Sequence, residues 1–142
     1  MSTAIKEEIR SKIVGLEGVM REMPQLAIPI KHHFAPGIYL REMHMPKGSI
    51  VVGKIHKTEH LCILSKGTVV VVDEDGRRTL TAPAVIHAMP GVKRALHALE
   101  DVVWTNHHHN PNDERDENKI DDIFVVDTFE QFLSFMEAKC LS

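Results

Sequence analysis

Cysteine is scarce. Among 142 residues only Cys62 and Cys140 occur, far apart and in no paired spacing, so the chain encodes neither a disulfide framework nor a paired-cysteine metal knuckle. Two structural thiols in a reduced compartment are expected. Positive charge is not in excess either. Lys and Arg number 17 against 20 Asp and Glu, a formal net charge of -3, which removes the electrostatic footing for general nucleic-acid binding. No apolar run approaches the length needed to span a bilayer, and Met1 to Glu8 lacks the apolar core of a signal peptide. A protein without a membrane span or signal-peptide export is the expectation. The glycines stand singly, so there is no phosphate loop, dinucleotide fingerprint or nucleophile elbow.

What is present is an ordinary globular balance, 43% hydrophobic and 26% charged, enough to bury one core over residues 1–142. Ile5, Ile9, Ile13, Leu16, Met20 and Met23 recur every three or four positions and predict an amphipathic helix over 1–23, ending before Pro24. From Ile38 the pattern turns to short apolar or alternating runs: Ile38 to Met45, Ile50 to Ile55, Leu61 to Leu64, Val69 to Val72, Arg77 to Thr81, Val85 to Met89, Arg94 to Ala98 and Val102 to His107. Asp73-Glu-Asp-Gly76 reads as a hairpin turn. The polar stretch Asn110 to Asn118 predicts a solvated loop, and Ile120 to Val126 a last strand. Thr128 to Lys139 predicts a closing helix with Asp127 or Thr128 as cap and Phe129, Phe132, Leu133 and Met136 on its apolar face. About eight short strands at near-regular spacing over 37–126, between helices at 1–23 and 128–139, describe a mainly β, single-domain jelly roll.

Gly48, Lys54, His56, His60 and Gly67 reproduce the spacing of the first cupin motif, Gly, five residues, His-x-His, three residues, Glu, six residues, Gly. Lys54 replaces the first His and His60 the Glu. Downstream, Met89-Pro-Gly91 and Arg94 to Ala98 lie where the second motif belongs, but only Gly91 agrees, and Arg94 holds the ligand position. The chain therefore resembles the cupin superfamily, with the barrel mouth assigned to Lys54, His56, His60 and Arg94. Lys54 and Arg94 offer no lone pair to a cation. His97 is nearby and could join His56 and His60 in a three-imidazole site, provided a bulge turns it inward. His32-His33 and His107-His108-His109 alternate faces along a strand and cannot converge on one ion; they read as solvated strand ends. His44 and His87 read as structural, Trp104 as core, and Glu100-Asp101 as the cap of a turn.

Lys57-Thr-Glu-His60, Leu64-Ser-Lys-Gly67, Pro90 to Ala95 and Glu100 to Thr105 resemble small cupin-like proteins encoded among the structural genes of tailed bacteriophages. That resemblance implies a non-enzymatic virion component, such as a capsid decoration or tail-associated protein. Its terminal helices would be attachment arms, with Ile5, Ile9, Ile13, Phe132 and Phe135 as candidate interface, and a homo-oligomer or other virion proteins as partners. Two alternatives stand beside it. One is a small metal-dependent cupin enzyme, a dioxygenase or isomerase, holding a divalent transition metal on His56, His60 and His97. The other is a module binding an anionic small molecule through Lys54 and Arg94.

Overall fold

The computed structural model describes residues 2–142. Helix α1 (Thr3–Arg21) starts where Ser2 Oγ accepts from the Ile5 amide, 3.3 Å. Ile13 is its one buried residue, with Ile9 and Met20 half-buried along the same stripe. Glu17 continues that stripe, and its carboxylate accepts from the Lys93 ammonium at 2.9 Å, Lys93 being 1% exposed. The helix is thus fixed to the barrel by an ion pair at a position where an apolar residue would be usual.

Eleven strands follow among the described residues. β1 (Ile30–Ala35), β2 (Ile38–Met45), β10 (Val102–His109), β5 (His60–Lys66) and β8 (Ala84–Ala88) form one sheet in that spatial order. β3 (Ile50–Val52), β9 (Ala95–Ala98), β6 (Thr68–Asp73) and β7 (Gly76–Thr81) form the facing sheet, and β4 (Ile55–His56) pairs with β11 (Val125–Val126) at the rim. The pairings are antiparallel, and β2 meets β10 across the length of the chain, which closes the fold as a jelly roll. Leu64, Val69, Val71, Ala98, Val102 and Trp104 fill the space between the sheets. Alternation explains them: the inward set of β10 is Val102, Trp104, Asn106 and His108.

The motif glycines are backbone requirements. Gly67 (φ +85°) and Gly91 (φ +84°) both lie in the left-handed region, where a side chain is strained. A Cβ at Gly67 would come within 2.2 Å of the Asp101 carbonyl oxygen, and one at Gly91 within 2.5 Å of the Phe132 ring. The spacing reports the turns of the fold whatever the ligand positions hold.

Four expectations are corrected. The sheet begins at Ile30, with a strand ahead of residue 37. Ile50 to Ile55 breaks into two strands, where the Gly53 amide donates to the Arg94 carbonyl oxygen at 3.0 Å. Ile120 to Val126 is mostly helix: α2 (Glu117–Phe124) is capped by Asp116 and buries Ile120 and Phe124, four apart and so on one face, leaving two residues for β11. Of the candidate interface, Ile13 and Phe132 are buried within the chain itself, Ile9 and Phe135 are half-buried, and Ile5 alone of the five stands out at 47% exposure. Helix α3 (Phe129–Leu141) carries a full capping box from Thr128 and Gln131, and Leu133 faces outward while Phe135 and Met136 turn in. Among the described residues no helix is long and apolar enough to cross a membrane.

Candidate metal centre

A cavity of about 270 Å³ opens between the sheets beneath α2. Lys54, His56, His60 and Arg94, the four residues at the motif's ligand positions, all line it. His56 enters from β4, where it pairs with Val125, and His60 from the first position of β5. The third imidazole is His108, opposite Tyr39 on β2. One ring nitrogen from each of His56, His60 and His108 lies within 4.8 Å of the other two. The rings pack at centroid separations of 4.1 to 5.1 Å, and His108 also stacks on Phe124 at 4.4 Å.

Hydrogen bonding leaves one buried nitrogen of each ring without a partner. His60 Nδ1 donates to the Thr58 carbonyl oxygen at 3.1 Å, which fixes the tautomer and leaves the Nε2 lone pair bare. His60 Nε2, His56 Nδ1 and His108 Nδ1 are buried and without a partner among the described residues, an arrangement that costs about 1–3 kcal/mol per group unless something occupies it. Burial holds all three rings neutral. It is the largest cause of the depressed pKa of His56, which is well below the usual value, of His60, and of His108, which falls to about 3; neighbouring imidazoles add to the shift at His56 and His108. Clustered neutral imidazoles, each with a ring nitrogen free of hydrogen bonds, are what a transition ion requires. Three nitrogens about 2.1 Å from one tetrahedral ion stand roughly 3.4 Å apart, so atoms as much as 4.8 Å apart would draw together by up to about 1.4 Å on binding. The donor set fits.

His97 does not take part. It lies exposed on β9, paired with Ile50 and Val70, because no bulge interrupts that strand. His56 and His60 cluster with His108 and not with His97. His108 is not a solvated strand end: alternation buries it and leaves His107 half-buried and His109 exposed. A signal for it was available: His108 has the parity of Trp104, itself read as core. His32 hydrogen-bonds Tyr39 Oη at 2.7 Å, His33 and His44 flank the Glu42 carboxylate, and His87 is exposed beside Glu59. Asp101 accepts from the Lys47 amide at 2.9 Å, in the turn after β2 and not in the turn before its own strand.

The two cations at motif positions are committed elsewhere. Arg94 Nε donates to Asp73 Oδ2 at 3.2 Å, and Asp73, 1% exposed, also faces Arg78. Lys54 is half-exposed and stands 3.7 Å from both Asp121 and Asp127.

Sheet order, the histidine-lined mouth and the motif glycines together define the cupin fold. Solved structures agree. KdgF from Halomonas sp. superposes with a TM-score of 0.54 at 15% identity, over 68% of this chain and 89% of its own. A cupin superfamily protein from Desulfitobacterium hafniense gives 0.52 at 11%, over 62% and 82%. Salicylate 1,2-dioxygenase from Pseudoaminobacter salicylatoxidans gives 0.55 at 11%, over 79% of this chain and 33% of the dioxygenase. At such identities the likeness is one of fold. No family model and no curated protein matches the sequence.

Proposed function

We propose that the chain is a small metal-dependent cupin enzyme whose centre is His56, His60 and His108. The observation that carries the reading is the set of three buried, partnerless ring nitrogens on neutral imidazoles at the cavity mouth. Three protein ligands leave an open coordination position, and an ion bound there would supply Lewis acidity to a small molecule in the cavity. The chain's own residues do the rest. The Thr58 carbonyl oxygen orients His60. Phe124 and Tyr39 flank His108 and limit water around it. A dioxygenase or an isomerase suits such a centre, and one fold neighbour is itself a dioxygenase.

Protein purified without chelators and assayed by elemental analysis should carry close to one equivalent of a first-row transition metal. H108A and H60A should lose it, whereas H97A should keep it. Metal-free protein that also refuses added zinc, iron, manganese and nickel would sink the reading. The virion role rests on the sequence strings alone. We retain it as a separate proposal, tested by counting copies of the chain in purified particles.

A further inference from the structure

One cation in the cavity has no counter-charge. Arg41 lies half-buried on β2 and lines the cavity between Tyr39 and Met43. Among the described residues no carboxylate comes within 4.0 Å of its guanidinium, in contrast with Arg94 and Lys54. Directly opposite it in the β2–β10 register stands Asn106. The Asn106 amide is oriented by chemistry: its Oδ1 accepts from Trp104 Nε1 at 2.9 Å and from Cys62 Sγ at 3.1 Å. Indole nitrogen only donates, so Oδ1 must face Trp104 and the Nδ2 hydrogens point away from it. Facing residues of an antiparallel pair place their Cβ atoms about 5 Å apart. A guanidinium and an amide with only donors to offer thus line the cavity from facing residues, which is a seat for a carboxylate.

We infer that the substrate is a small organic carboxylate, its anionic group held by Arg41 and Asn106 and its body lying between the histidines and the apolar floor. Inward residues on one strand are spaced by roughly 7 Å. Arg41 is one such step from Tyr39, which pairs with His108, and one from Met43, which pairs with Trp104. A carboxylate held there lies within one short molecule's reach of the imidazoles. The floor is apolar, with Met43, Val51, Leu96 and Trp104 facing the cavity. Its volume of about 270 Å³ falls just below the ~300–1,000 Å³ usual for drug-sized ligands, so the body is small. Calling this anion a substrate rests on the metal-centre reading; the seat itself does not.

Calorimetric titration with acetate, hexanoate and benzoate, and with benzamide as the neutral control, tests the inference on chelator-stripped and on zinc-loaded protein. Hexanoate or benzoate should bind both preparations, and benzamide neither. R41Q should weaken carboxylate binding at least tenfold in both. N106D keeps the oxygen that accepts from Trp104 while setting a negative charge against Arg41, and should abolish binding without unfolding the protein. Carboxylate binding that is unchanged in R41Q and N106D, or absent with all three acids, overturns the inference. Binding that needs zinc and ignores Arg41 also overturns it while leaving the metal centre standing. Arg41-dependent binding in a protein that takes up no metal keeps the seat and removes the metal-centre reading.

Discussion

Holding three imidazoles neutral has a consequence that depends on pH. In the unfolded chain each titrates near 6.5, while in the fold His108 is pushed down to about 3 and His56 and His60 are lowered as well. Below about pH 6.5 the unfolded chain therefore binds protons that the folded chain refuses, and stability falls with falling pH; above that value the contribution is fully present. Metal-free protein should show a lower urea midpoint near pH 5 than near pH 7.5, and H108F should flatten the difference. Residue by residue, the site was half legible. Lys54, His56, His60 and Arg94 all line one cavity, because spacing within a motif is local geometry. His108 was obscured by its neighbours: three consecutive histidines look like one feature, although only the middle one shares a face with Trp104 and Asn106.

Between elements, the anchoring of the two terminal helices shows how little tolerance the barrel leaves. The Phe132 ring of α3 fills the place a side chain at Gly91 would need. G91A should cost more than about 1 kcal/mol, since it adds a clash to a strained positive φ, and F132A in the same chain should recover only the steric part. Chemical denaturation of the two single variants and the double variant separates the terms. At the other helix, E17Q leaves the buried Lys93 ammonium without its counter-charge and should cost roughly 3 kcal/mol, whereas K93M removes the need for a partner and should cost less. Both helices were legible, from a 3.6-residue stripe and from capping chemistry. α2 was misread because Ile120, Ile123, Phe124, Val125 and Val126 are strand-forming types; burial of the pair Ile120 and Phe124 on one face, with Asp116 as cap, overrides that preference.

Over the whole molecule, strand pairing joins distant parts of the chain: β2 must find β10, and β4 must find β11. Non-local pairing of this kind is slow to form, on the order of milliseconds to seconds. It also sets where the structure is most durable. β10 is hydrogen-bonded on both sides and carries the core residues Val102 and Trp104, so its amides should exchange slowest with deuterium. Those of β1, the sheet's edge, and of the last turn of α3 should exchange fastest, as hydrogen-exchange mass spectrometry would record. The fold class was legible because turn residues at regular intervals mark strand ends, but the register that brings Tyr39 to His108, Arg41 to Asn106 and Met43 to Trp104 depends on closure of the whole sheet. That register works as a ruler. The three pairs mark three depths at intervals of roughly 7 Å: imidazole and phenol at the top, guanidinium and amide in the middle, thioether and indole at the bottom. A guest gripped at the middle mark is sorted by length, and a change confined to the lowest pair would alter which chain lengths are admitted while leaving the chemistry at the top in place.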